Sequence, residues 1–219
     1  METEKIMIKP LLNFLTAVVF ALGVSSSALA ESTLEPDVLV KKVTTEVLQI
    51  IKTDKELQAG NMKKVFELVD AKILPHCNFN RMTALAVGQS WRNATPEQKT
   101  KLTQEFKILL VRTYANALTS YKNQSIDYKP LRMAPTDTDV TVKTEVKQTS
   151  GQPIQLDYTL QKKDGEWKVY DIIVAGVSLV TNYRDSFNQE IRSNGIDGLI
   201  ASLATKNQQG GTPAPAKKS

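Results

Sequence analysis

The chain has 219 residues, one Cys, one His, 28 Lys and Arg against 23 Asp and Glu, a net charge of +5 and 41% hydrophobic residues. That balance belongs to a globular protein rather than a disordered or fibrous one. One Cys excludes an internal disulfide and a cysteine-cluster metal site, and one His excludes any arrangement that needs two imidazoles.

Residues 1–30 read as an export signal: Lys5 and Lys9 form a basic end, Leu11 to Val24 is an apolar run broken by Asn13, Thr16 and Gly23, and Ser25 to Ala30 supplies small residues before Glu31. The run of about fourteen apolar residues falls short of the roughly 20 that cross a bilayer. Ala28 and Ala30 fit the small-x-small cleavage rule, so cleavage after Ala30 is expected and a retained membrane anchor is the weaker reading. No later stretch is long and apolar enough to span a membrane, so the mature chain is expected outside the cytoplasm, in the periplasm if the cell is Gram-negative. Glu2 and Glu4 balance the two lysines of the signal, so the positive charge belongs to the mature chain, and Lys217 and Lys218 of the tail carry part of it. The remaining cations are scattered among acidic residues without interleaved aromatics. Nucleic acid is therefore disfavoured as a partner, while a weak attraction to anionic membranes remains open.

From Pro36 to about Thr53, Val40, Val43, Val47 and Ile51 recur at helical spacing, and the spacing predicts an amphipathic helix. A second is predicted over Met62–Leu74, on Val65, Phe66, Val69 and Ile73, with Pro75 as its stop. Asn78 can cap a third that ends at Val87 before Gly88. Thr95-Pro96-Glu97-Gln98 is the strongest start signal, a capping box with proline in the first turn. A long helix should follow to about Tyr121, with a broad stripe of Leu102, Phe106, Leu109, Leu110, Tyr114, Ala117 and Tyr121.

After Asn123 the period becomes two. A less regular strand is expected at Ser125–Met133, then Val140, Val142, Thr144 and Val146 alternate with polar residues, as do Ile154, Leu156, Tyr158 and Leu160. Ser150-Gly151 and Asp164-Gly165 sit where hairpin turns belong. The next strand, Trp167 to Val174, is apolar on both faces and should be central or covered on both sides. Two helices close the chain, Leu179–Ser193 and Asp197–Thr205, separated by Gly195. Residues 207–219 have nothing to bury and are expected to be disordered. The sum is one α+β domain over 31–206, a curved antiparallel sheet of about four strands wrapped by helices.

Sequence support for catalysis is thin. Asp171 lies in an apolar strand, where a carboxyl group can act as a general base, although an Asp that accepts hydrogen bonds from a neighbouring loop or helix start is the favoured reading. His76 and Cys77 are adjacent, a poor geometry for a nucleophile pair with no third group to orient it, and Cys77 reads as a buried small hydrophobe. A GxSxG elbow, a Gly-rich phosphate loop and an HExxH motif are all missing from the sequence. What stands out is an excess of apolar positions. It can fill a core or, under a curved sheet, line a dry cavity, and periodicity alone favours the core.

Three stretches together point to a family: Ala94 to Gln98 opening the long helix, Trp167 to Val180 crossing from the last strand toward the closing helix, and Gly195-Ile196-Asp197-Gly198-Leu199. They resemble the MlaC family, the toluene-tolerance auxiliary transport proteins that carry phospholipid in the periplasm, and the likeness runs from about Pro36 to Lys206. Ala175 departs from it, at a position where an acidic residue is expected in many relatives. The resemblance implies a non-enzymatic, monomeric carrier with no metal and no cofactor and with phospholipid as its ligand. It further implies exchange with an outer-membrane lipoprotein–porin complex and with an inner-membrane ABC transporter and its lipid-binding subunit. Alternation and resemblance together nominate Phe106, Leu109, Leu110, Tyr114, Val142, Leu156, Tyr158, Leu160, Ile172, Val177, Val180, Tyr183 and Phe187 for acyl-chain contact. Arg81, Arg92 and Arg112 are the candidates for the phosphate, since a guanidinium can hold one by two bonds. The alternative is an exported enzyme acting on a hydrophobic small molecule with Asp171 as its base.

Overall fold

The structure, a computed structural model, describes residues 34–120, 124–148 and 151–209. The export segment, the turn residue Ser150 and the tail beyond Gln209 lie outside them.

Helix α1 runs over Pro36–Thr53, as its periodicity predicts, with Pro36 in the first turn. Asp54 then caps a short α2, Lys55–Gln58, by accepting from the amides of Glu56 and Leu57 at 2.8 and 3.1 Å. Helix α3, Met62–Leu68, is shorter than expected. From Val69 to Ile73 the coil widens into a π turn, and Leu74–His76 tightens into a 3-10 turn. Pro75 has no amide to give, so the regular ladder cannot pass it. The result is a change of direction that brings His76 and Cys77 to the edge of the sheet, where the Asn78 amide donates to the Val169 carbonyl at 2.8 Å.

Asn78 caps helix α4, Phe79–Val87, by accepting from the Arg81 amide at 3.0 Å. Gly88, at φ 67°, turns the chain into a 3-10 segment, Gly88–Asn93. The capping box forms as read: Thr95 Oγ1 accepts from the Gln98 amide at 3.1 Å, and Gln98 Oε1 accepts from the Thr95 amide at 3.0 Å. Helix α5 continues over Pro96–Thr119.

The sheet is antiparallel in chain order: β1 Ser125–Tyr128, β2 Asp139–Lys147, β3 Ile154–Lys163, β4 Glu166–Val174 and β5 Val177–Ser178. Strand β1 stops well short of Met133 because Pro130 has no donor for the ladder. The two-residue β5 is an addition to the four strands expected. Register explains why β4 looks apolar on both faces. Leu156 pairs with Val174 and Tyr158 with Ile172, but a bulge shifts the pairing so that Leu160 meets Val169. The extra residue, Tyr170, reverses the alternation, and Val169 comes to the same side as Ile172 and Val174.

Leu179 to Tyr183 is not the start of an α-helix. It holds a 3-10 turn, Thr181–Tyr183, and helix α6 begins at Arg184, running to Gln208 with a bend at Gly195 where φ is 72°. The helix therefore passes the expected tail boundary: Asn207 is 5% exposed and its Nδ2 donates to the Glu105 carbonyl at 2.9 Å and to Glu105 Oε2 at 2.7 Å. Phe106, Tyr183 and Phe187 form an aromatic triad with centroids 5.4–5.5 Å apart at the centre of the α4–α5–α6 core.

Two stability changes follow. Thr95→Ala removes the cap of α5 and should cost about 1 kcal/mol in urea unfolding with an unchanged m-value. Ala175 sits in the β4–β5 turn at φ 49°, a left-handed conformation a side chain resists. Ala175→Gly should therefore raise the unfolding free energy by roughly 0.5–1 kcal/mol in the same assay.

Candidate functional site

Between α1, the C-terminal half of α5 and one face of the sheet lies a cavity of about 460 Å³. Its helical wall is made of Leu39, Val40, Val43, Thr44, Val47 and Leu48 from α1 and Tyr114, Ala117 and Leu118 from α5. Leu156, Tyr158, Ile172 and Val174 stand on the sheet side of the same space. Ile73, His76 and Cys77 close one side through the π and 3-10 turns. Leu39 and Val40 of this lining also belong to a packed cluster with Val142, Leu160 and Trp167.

The polar groups at the cavity are few and neutral. The Tyr158 phenol is buried and shares a hydrogen bond with Thr44, and burial pushes its pKa up to about 12. Burial also pushes the Cys77 thiol up to about 12, which leaves it protonated and inert rather than nucleophilic. His76 is held below its ordinary value, first by burial and then by the charges of Lys168 and Lys42, so it is neutral at pH 7. Burial raises the Tyr114 phenol as well. Ser120 and Gln148 are exposed and, with Gln124, mark the rim at the end of α5 and the start of β1. Among the described residues no carboxylate lines the cavity.

Of the residues nominated for acyl-chain contact, Tyr114, Leu156, Tyr158 and Ile172 line this space. Phe106, Leu109, Leu110, Val180, Tyr183 and Phe187 are instead in the core that joins α4, α5 and α6. Val142 and Leu160 belong to the packed cluster with Trp167, and Val177 is 44% exposed at the β4–β5 turn. An apolar stripe reads the same whether it faces a neighbour or a void, and for these residues the neighbour is there. The arginines are elsewhere. Arg81 Nη2 pairs with Asp139 at 2.8 Å while its guanidinium lies 3.5 Å from the Tyr170 ring centroid. Arg92 is exposed on the 3-10 segment, and Arg112 lies 5.9 Å from the Phe66 ring centroid. The residues missed include the α1 face from Leu39 to Leu48, Ile73 and Cys77 at the turns, and Val146, Ile154, Val169 and Val174 of the sheet.

The MlaC protein family model matches residues 41–205. The intermembrane phospholipid transport system binding protein MlaC of Haemophilus influenzae is 29% identical over 207 residues, 93% of this chain and 94% of that one. The toluene tolerance protein Ttg2D of Pseudomonas putida is 30% identical over 189 residues, 83% of this chain and 87% of that one. Among solved structures, a phospholipid-binding protein of Ralstonia solanacearum, in complex with a phospholipid, is 43% identical with a TM-score of 0.76 and covers 81% of this chain and 99% of its own.

Asp171, the candidate base, does not line the cavity. Its Oδ2 accepts from Ser178 Oγ at 2.6 Å and its Oδ1 from the Ile172 amide at 2.8 Å, while Ser178 Oγ accepts from the amides of Val180 and Thr181 at 3.2 and 2.9 Å. The carboxylate thus ties β4 to the turn that leads into α6. Burial raises its pKa, against those hydrogen bonds. The folded state therefore holds this proton more tightly than the unfolded chain, whose value is about 3.9. The associated stability is complete below about pH 4 and is lost as pH rises through the folded value. Asp171→Asn removes the titration, so the wild-type minus variant difference in unfolding free energy should be largest near pH 4 and shrink toward pH 7. Urea titrations across that range check it.

Proposed function

The chain belongs to the MlaC family, and on that premise we propose that it is a periplasmic phospholipid carrier that hides acyl chains in the cavity between α1, α5 and the sheet. One observation carries the reading: a lining that is apolar or neutral throughout, around about 460 Å³. That is about three times the 150 Å³ apolar cavity known to stay dry and take up benzene, and it falls in the range of built ligand sites. Hiding hydrocarbon is worth about 0.8 kcal/mol per methylene, so a diacyl lipid cannot cross an aqueous space unaccompanied at a useful rate.

In this reading the tails run along Val43, Tyr114, Leu156, Tyr158 and Ile172, and the headgroup stays at the rim beside Ser120, Gln124 and Gln148. Loading and unloading belong to membrane partners: an outer-membrane lipoprotein–porin complex, and an inner-membrane ABC transporter with its lipid-binding subunit. Apolar burial of this extent makes unaided release slow, so each partner has to favour an opened state of the carrier. Catalysis has no place in it, since Asp171 is outside the cavity and the thiol at its wall is protonated.

The test fills the cavity from its edge. Ala117 is exposed yet contributes to the lining, so a bulky side chain there can enter the space without disturbing the core. The chain exported to a bacterial periplasm and purified without detergent should show, by native mass spectrometry, an added mass of phospholipid. Ala117→Trp should lower that occupancy by about tenfold, equivalent to about 1.4 kcal/mol, with the melting temperature nearly unchanged. A chain that is bare even after incubation with vesicles would overturn the carrier reading.

A further inference from the structure

A second cavity among the described residues is lined by polar and cationic side chains. It is a surface cleft of about 450 Å³ between the 3-10 segment after α4 and the first half of α6, lined by Gly88, Gln89, Ser90, Arg184, Asn188 and Arg192. Helix geometry puts Arg184, Asn188 and Arg192 on one face at spacings of four. The left-handed Gly88 brings the opposing wall close, and a Cβ built there would meet Asn188 Oδ1 at 3.8 Å and Arg184 Cδ at 3.9 Å.

The cleft is rich in donors and has no carboxylate. Arg184 Nε donates to the Leu85 carbonyl at 3.0 Å, which fixes the stem of the side chain and leaves both Nη groups unengaged among the described residues. Arg192 makes no hydrogen bond or ion pair among the described residues, and Arg92, exposed on the same 3-10 segment, makes none either. The carboxylates nearest in sequence are Asp185 and Glu190, and neither lines the cleft; Glu190 accepts from Asn194 at 2.7 Å. Arg81, by contrast, is in an ion pair with Asp139 at 2.8 Å.

We propose that this cleft is a binding site for a phosphate group, separate from the apolar cavity, in which Arg184 and Arg192 share the charge while Ser90, Gln89 and Asn188 supply neutral donors. A tetrahedral oxyanion matches this set because its oxygens accept from several directions at once, and a guanidinium engages two of them. The phosphate can be free in solution or belong to a phospholipid headgroup in a bilayer, and the two sources are separable by experiment.

Inorganic phosphate, with chloride at matched ionic strength as the reference, is titrated while the arginine Nε–H resonances are followed by NMR. In parallel, co-sedimentation is measured with phosphatidylglycerol and with phosphatidylcholine vesicles. Saturable shifts of Arg184 and Arg192 identify a site for free phosphate. Sedimentation with phosphatidylglycerol vesicles, lost in Arg192→Gln and lost further in Arg184→Gln/Arg192→Gln, identifies a headgroup site, with about fivefold expected for each arginine. Arg192 is exposed and unpaired, so its single variant leaves the fold intact and keeps the test decisive. Lys143→Gln/Lys147→Gln on exposed positions of β2 removes the same charge elsewhere. Equal losses in both double variants, or the absence of both phosphate shifts and vesicle binding, overturns the proposal. Retained lipid in the apolar cavity of these variants shows that such a failure does not touch the carrier reading.

Discussion

The cavity depends on how helix α5 is held. At about 1.5 Å per residue its 24 residues make a rod of about 36 Å, and the constraints on it are unevenly distributed. Its first half is clamped. The capping box fixes the start, Gln98 Nε2 donates to Asp197 at 3.1 Å, Glu105 accepts from Asn207, and Phe106 inserts edge-on against Tyr183 and Phe187 at 5.4 Å. Edge-to-face aromatic pairs in a sealed core add direction to the burial they bring, so the clamp sets an angle as well as a position. The second half then projects over the sheet, where Tyr114, Ala117 and Leu118 line the cavity together with α1. A void of this size would cost a solid-core protein several kcal/mol and would normally be closed by a small shift of the helices. Here the clamp at the other end of the rod resists that collapse.

This division of α5 is also where the sequence stops being legible. Its stripe is apolar from Leu102 to Tyr121, of which Tyr121 lies outside the described residues, and Leu102 to Leu110 mark a buried face. The pattern carries no information about what stands opposite each position. Phe106, Leu109 and Leu110 meet α4 and α6, while Tyr114 three to four turns into the same stripe meets empty space. Local signals with a mechanism of their own survived intact. Pro36, the Thr95 capping box, Asn78 as a cap and the bend at Gly195 all act within a turn or two of chain. What was lost depended on partners far away in sequence. The bulge at Tyr170 exists because β3 and β4 must bring Leu160 opposite Val169, and from composition alone that strand could only be read as apolar on both faces.

The apolar cavity and the cleft between the 3-10 segment and α6 differ in chemistry. One is walled by apolar groups, with a neutral imidazole and a protonated thiol. The other is walled by guanidinium, amide and hydroxyl groups, with no acid to neutralise them. Charge is absent where hydrocarbon would have to sit and uncompensated where an anion could. The arginines that first seemed suited to a headgroup are occupied elsewhere or exposed: Arg81 is spent on Asp139 and the Tyr170 ring, where it braces the outer side of the bulge.

The chemistry of the apolar cavity bears on how it can be emptied. A ligand held by burial alone has no single bond whose loss would release it, and its affinity follows the area removed from water. Titration cannot supply the trigger near neutral pH. Tyr158 and Cys77 lose their protons only at about 12, and His76 is already neutral, so none of these groups changes charge around pH 7. What remains is geometry. The sheet is braced by its ladder and by the tie from Asp171 to Ser178, and α5 is fixed at its clamped end, whereas α1 is held to the sheet by the packing of Leu39 and Val40 and by the Thr44–Tyr158 hydrogen bond. Drawing α1 away from the sheet breaks dispersion contacts and the Thr44–Tyr158 hydrogen bond, but it uncovers no charged group of the lining. If the chain is a carrier as proposed, opening along α1 costs chiefly the exposure of apolar surface, and a partner that takes the ligand has to offer apolar surface in exchange.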